Sequence, residues 1–203
     1  MTLPTTFTTT FSRRFAAIAV VALACVATPA LSGKPAPLPG DSVYKLALPL
    51  TDAQGKTRDW STLQGKPRIV AMFYTSCQYM CPLIIESGKA VERKLTPAQR
   101  ARMGVVLVSL DPARDTPAAL RKTIEQRKVD ATRWTLAAPA PADVRKVAGV
   151  LGVRYRALEG GDFNHTSALV LLDADGRILA RTEQVGTTPD PAFVESVRKS
   201  VGR

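Results

Sequence analysis

The chain has 203 residues, 45% of them apolar, which suits one domain with its own core plus a leader. Its formal net charge is +11; residues 1–32 hold Arg13, Arg14 and no acid, which leaves +9 on the remainder. That balance predicts a basic surface and an acidic partner. It does not read as a nucleic-acid footprint, because the basic residues are scattered and no basic tract alternates with aromatics. Three cysteines, Cys25, Cys77 and Cys81, and one histidine, His165, are the few thiols and the one imidazole available for metal or redox chemistry.

The N-terminus reads as a leader. Arg13-Arg14 precedes thirteen apolar residues, Phe15 to Ala27, and Ala30-Leu31-Ser32 offers small residues for cleavage before Gly33. Residues 1–32 are therefore a signal peptide or a membrane anchor, and Ala22-Leu23-Ala24-Cys25 offers a lipidation site. Export to the bacterial periplasm follows, with an inner-membrane tether if the leader is kept. Cleavage leaves Cys77 and Cys81 as an isolated pair that either oxidises together or is kept reduced for a task. Gly33 to Gly40 is a Pro/Gly linker, and residues 41–203 form the domain.

Residues 43–50 alternate as a strand, and Asp52 to Lys56 makes the turn of an N-terminal β-hairpin that returns through Trp60. An apolar strand spans 68–74, a helix 83–95, and Thr96-Pro97 is a linker. The strand 105–110 ends at Asp111-Pro112. Asp115-Thr116-Pro117 opens a helix that runs to Arg127, with Asp111 read as strand terminator and Asp115 as cap. A strand at 133–137, a helix at 141–151 stopped by Gly152, and a strand at 153–157 come next. Strands 167–172 and 177–182 form a hairpin around Asp175-Gly176, and a helix closes the chain at 189–201. Strands alternating with helices indicate an α/β fold: a central mixed sheet with helices on both faces.

The chemistry concentrates where the strand 68–74 stops. Cys77 and Cys81 lie four positions apart at the start of a helix, where i and i+4 share a face and the unpaired N–H groups favour a thiolate. Two such sulfurs can hold a soft metal or make and break a disulfide. A purely structural bridge is poorly motivated, because a regular i,i+4 helical pair has the wrong geometry and closes too small a loop. His165 precedes a strand as the cysteines follow one. Two thiolates and one imidazole suit copper, sulfur for Cu(I) and nitrogen for either oxidation state. Zinc would want a fourth ligand, for which Asp111 or Asp162 is available. Tyr79 and Met80, between the cysteines, can touch a metal or a partner.

Three segments together resemble the SCO/SenC family of thioredoxin-like, copper-binding cytochrome oxidase assembly factors. They are Phe73-Tyr74-Thr75-Ser76-Cys77-Gln78-Tyr79-Met80-Cys81-Pro82, then Val108-Ser109-Leu110-Asp111-Pro112-Ala113-Arg114-Asp115-Thr116-Pro117, then Asn164-His165-Thr166 followed by a strand and Asp173-Ala174-Asp175-Gly176. The likeness spans about residues 41–200. It implies a thioredoxin-like fold, copper held by Cys77, Cys81 and His165, and a chaperone role at the copper site of a respiratory oxidase, receiving metal from a donor protein or passing it to the oxidase subunit. It also implies that the two cysteines can form a disulfide. The alternative is a thiol–disulfide oxidoreductase acting on cysteines of a partner's copper site, with Cys77 attacking and Cys81 resolving. Many family members carry Pro where this chain has Gln78, and Asp where it has Asn164. No Pro lies between Pro141 and Pro189, where thioredoxin-like oxidoreductases place one facing the active cysteines; His165 stands in that region instead.

Overall fold

The computed structural model describes residues 37–77 and 80–202, together with Thr2. The leader 1–32 with Cys25, and Gln78 and Tyr79 between the later cysteines, lie outside the described residues.

The expected strand over 43–50 resolves into two pieces. Ser42 accepts the Tyr44 N–H and caps a single 3-10 turn, Val43–Lys45, so the strand proper, β1, is Pro49–Asp52. β2 (Thr57–Asp59) returns antiparallel to it, the turn held by the Asp52 carboxylate accepting the N–H groups of Gln54 and Lys56. β3 (Arg68–Phe73) is buried along its whole length. α1 (Met80–Arg93) starts three residues before the expected Leu83, which puts Cys81 in its first turn.

The expected linker at Thr96-Pro97 is instead the start of α2 (Pro97–Ala101). Thr96 and Gln99 cap each other reciprocally there, with Pro at the first position. β4 (Gly104–Ser109) and α3 (Pro117–Arg127) follow. The cap of α3 is Thr116, whose hydroxyl accepts from Ala119, and not Asp115. After β5 (Trp134–Pro139), a 3-10 turn leads into α4 (Val144–Val150), which Gly152 ends at φ 65°. β6 (Tyr155–Ala157) pairs with β7 (Phe163–His165), a strand not expected from the sequence. β8 (Leu169–Leu172), β9 (Ile178–Thr182) and α5 (Pro191–Val201) complete the chain.

The main sheet runs β2-β1-β5-β4-β3-β8-β9. β3, β4 and β5 are parallel, and the remaining pairs are antiparallel, so the sheet is mixed as expected. β3, β4 and β8 are buried at every position, which requires cover on both faces. On one side Lys89 of α1 donates to the carbonyl of Arg127 at the end of α3, and Arg198 of α5 donates to the carbonyl of Lys94 just past α1. The three helices therefore stand together. Trp134 of β5 lies against Gly88 of α1, where any Cβ would meet the indole at 2.6 Å; the glycine is required by that close approach. Among the described residues no helix is long and apolar enough to cross a membrane.

β3 and β4 pair in parallel from Arg68 with Gly104 to Phe73 with Ser109, and Leu110 extends the ladder by donating to Phe73 at 2.7 Å. Two central strands thus end side by side. The segments that leave them, 74–77 and 110–116, meet at the carboxyl edge of the sheet, where Thr75 donates to Asp115 and where α/β folds characteristically build their sites.

Candidate metal centre

Burial fixes one of the two sulfurs. Cys81, 2% exposed, accepts the N–H of Tyr74 at 3.3 Å, so the first turn of α1 folds back on the end of β3. Burial pushes its thiol up, with the Tyr74 N–H opposing and the neighbouring Cys77 adding to the rise. Cys77 is only half-buried, and its sulfur accepts the Cys81 N–H at 3.3 Å. Both are thiols in this structure. The two cysteines thus adjoin at the N-terminus of α1, with one sulfur shut in and the other open.

Cys77 opens into a cavity of about 550 Å³ whose wall includes Tyr74, Met80, Asp162, Phe163 and His165. The histidine arrives from β7, not from the loop before β8. Its Nδ1 stands 3.2 Å from the carbonyl oxygen of Thr166. A carbonyl can only accept, so that nitrogen carries the proton and Nε2 presents a lone pair. Nε2 is buried and has no hydrogen-bond partner among the described residues. Burial lowers the pKa of this imidazole, partly opposed by the Thr166 carbonyl, and keeps it in the neutral form that ligates metals. The sequence pointed to this residue, and the structure brings it to the cavity that Cys77 lines. Cys77 and His165 line one cavity, and among the described residues no three His, Cys, Asp or Glu side chains stand close enough to form a ready-made metal cluster.

Of the two aspartates considered as a fourth ligand, Asp162 lines the cavity and Asp111 does not. Asp111 is engaged with the guanidinium of Arg114 instead.

Three residues that the sequence did not mark as functional hold this arrangement. Tyr74, the first residue past β3, stacks edge-on to Phe163 at 5.2 Å and to His165 at 6.0 Å between ring centres. Its hydroxyl accepts the Phe163 N–H at 3.3 Å and also hydrogen-bonds Cys77. Burial, with the Cys77 and Asp162 charges adding to it, pushes its phenol up to about 12, so it stays a donor at any physiological pH. Asp115, 1% exposed, accepts the N–H of Thr75 at 2.9 Å, its hydroxyl at 2.6 Å, and the hydroxyl of Ser109 at 2.5 Å. Burial raises this carboxyl's pKa against the pull of those hydrogen bonds. Arg114 bridges the Asp111 carboxylate to the carbonyl of Gly161, in the turn between β6 and β7. The signal for Asp115 was present in the sequence: with Pro117 opening α3, Thr116 is the cap, and an acid before it has no helical role.

The SCO1/SenC family model matches residues 40–201. The chain belongs to the SCO1/SenC family. The fold agrees with that membership: a crystal structure from Aquifex aeolicus VF5, described as a "putative electron transfer protein", matches with a TM-score of 0.67 and 26% identity over 82% of this chain and 93% of that one. ScoI of Bradyrhizobium japonicum, a structure with copper bound, matches with a TM-score of 0.61 and 25% identity, covering 75% of this chain and 96% of that one. A Stutzerimonas stutzeri relative named "Putative copper-binding protein" is 26% identical over 132 residues, 64% of this chain and 65% of that protein, so this SCO1/SenC chain spans just under two thirds of its length.

Proposed function

We propose that this protein holds one copper ion between Cys77, Cys81 and His165, and delivers it to, or uses it to mature, the copper site of a respiratory cytochrome oxidase. The observation that carries the reading is the His165 Nε2: a neutral, buried nitrogen with no partner among the described residues, on the wall of the cavity that Cys77 lines. A buried lone pair without a donor is costly unless something else satisfies it. Family membership, the copper-bound ScoI and the copper-binding name of the relative support copper as that occupant. Binding requires both thiols to lose their protons, and the burial that opposes ionisation of Cys81 is overcome by the metal's own charge. Cys77, the open sulfur, is the ligand through which copper enters and leaves. The protein is exported to the periplasm and held at the inner membrane through residues 1–32, with 33–40 as spacer and 41–203 as the working domain.

The asymmetry between the cysteines favours a second reading. Cys77 would attack a partner's disulfide and form a mixed disulfide. That attack releases one partner sulfur as a thiolate; Cys81 would then attack the Cys77 sulfur and displace the partner sulfur held in the mixed disulfide, which leaves both partner cysteines reduced and Cys77–Cys81 oxidised. Titration of the reduced protein with copper under anaerobic conditions, with His165→Ala in parallel and metal counted after a competing chelator, decides between them. One copper per chain, weakened in the variant, is the expected result. If the wild type yields all its copper to the chelator, delivery fails and partner trapping with Cys81→Ser is the test of exchange.

A further inference from the structure

Alternation along the β6–β7 hairpin sorts it into two faces. Tyr155 pairs with His165 across the strands, and with Phe163 they share the face packed toward Tyr74. Arg156 pairs with Asn164 on the other face. Arg154 lies two residues earlier, on the same side, and its carbonyl extends the ladder by accepting the Thr166 N–H at 2.8 Å. A second cavity, of about 570 Å³, opens beside this face. Arg154, Arg156, Asn164 and Glu183 line it, and it shares Met80, Asn164 and His165 with the cavity at Cys77.

Its charge is unbalanced. Both arginines are exposed, and neither guanidinium has an ion-pair partner among the described residues. Glu183, the one acid on the lining, is already paired with Arg181 at 3.0 Å. Asn164 faces Arg156 without a charge, and Asp162 belongs to the other cavity.

We propose that this cavity docks an acidic segment of the protein partner that exchanges copper or thiols with the site, so that the partner's own ligands arrive at the His165 and Met80 wall. The partner's identity rests on the function proposed above; the charge recognition does not. The depression is shallow, but Met80 and Val185 stand beside the arginines on its lining, which suits a peptide segment carrying apolar as well as acidic side chains better than a purely anionic lipid surface.

The test titrates a fluorescent decaglutamate peptide onto the full-length, metal-free protein and follows anisotropy. Binding is expected at low salt and weakens as salt is raised. Arg154→Glu/Arg156→Glu is expected to lose about tenfold or more in affinity. Lys122→Glu/Arg127→Glu on α3, with the same change in net charge, loses less than about twofold. Asn164→Asp, which supplies Arg156 with a partner inside the chain, also weakens binding. Thermal melts of each variant confirm that it is folded. Equal loss in both double variants overturns the proposal, because net charge alone then attracts the peptide. So does the absence of any binding, or capture of phosphatidylglycerol vesicles through the same arginines with no response to peptide. Copper retained by Arg154→Glu/Arg156→Glu while peptide binding is lost separates the surface from the metal site. Peptide bound by a wild type that holds no copper removes the copper reading and leaves the docking surface standing.

Discussion

The two halves of the candidate site are built differently. The cysteine half grows out of β3, an interior strand of a seven-stranded sheet with every residue buried, and Asp115 ties its loop to the end of β4. The histidine half is a hairpin of two three-residue strands outside that sheet, with no position fully buried. Tyr74 and the Arg114 bridge tie it to the cysteine half, and Tyr155 and Phe163 pack against the core. A two-stranded hairpin has little stability of its own. The sulfurs are thus held by the core, while the imidazole is held by a few contacts that can give. A site that must take up an ion and release it needs one side of this kind.

Removing Asp115 is expected to break the rigid half. Asp115→Ala orphans three donors in a buried space, the N–H and hydroxyl of Thr75 and the hydroxyl of Ser109. Each such loss costs about 1–3 kcal/mol, partly relieved by water entering the space, so a total of about 3 kcal/mol is expected. For a chain of this size that corresponds to a fall in Tm of roughly 10 °C, measured by calorimetry. A change of only 1–2 °C would mean that Asp115 does not hold the cysteine loop.

How much of this was legible in the sequence follows the same division. The cysteine half writes itself in local signals: an unbroken apolar strand, two cysteines at helical spacing and a long amphipathic helix. The helix lies two to three residues earlier than expected, its start hidden because Pro82 looks like a boundary while the structure carries it inside the first turn of α1. The histidine half has almost no local signal. Phe163-Asn164-His165 is too short to show alternation, and it becomes a strand only by pairing with Tyr155–Ala157 across a Gly-Gly turn. Asp115 was read as a cap because its neighbours are capping residues, and its real partner, Thr75, is forty positions away. Contacts of that range come from the parallel register of β3 with β4, which no local pattern reveals. The 96–101 helix is a different kind of miss, since Thr96, Pro97 and Gln99 carried a full capping signature.

The compliant half is sharpened by cutting one attachment. Arg114→Ala removes the bridge from Asp111 to the Gly161 carbonyl. The arginine is 43% exposed on its side chain, so screening keeps the global cost below about 1 kcal/mol. The effect is expected to be local. Hydrogen exchange should speed up for amides 158–165 and stay unchanged along β3. Equal acceleration in both segments would show that the hairpin and the sheet open as one unit, and the comparison drawn above would fail.

The smallest expected effect is also the cleanest to assign, because His165 is the chain's one histidine. Burial lowers its folded pKa below the ordinary value of 6.5. Between those two values the unfolded chain binds a proton that the folded chain does not, so stability rises with pH across that window. The contribution is fully present above the unfolded pKa and is lost as pH falls through the folded one. A single proton limits the slope to about 1.4 kcal/mol per pH unit. Denaturant melts of the metal-free protein from pH 7.5 down to 5, beside His165→Gln, should show the wild type losing stability faster on acidification. Parallel curves would mean that the ring is as well hydrated folded as unfolded, which is incompatible with a buried Nε2. A steeper wild-type curve would locate the proton-sensitive step in the histidine half, so acid would loosen the imidazole's side of the site while the sulfurs stay seated on the sheet.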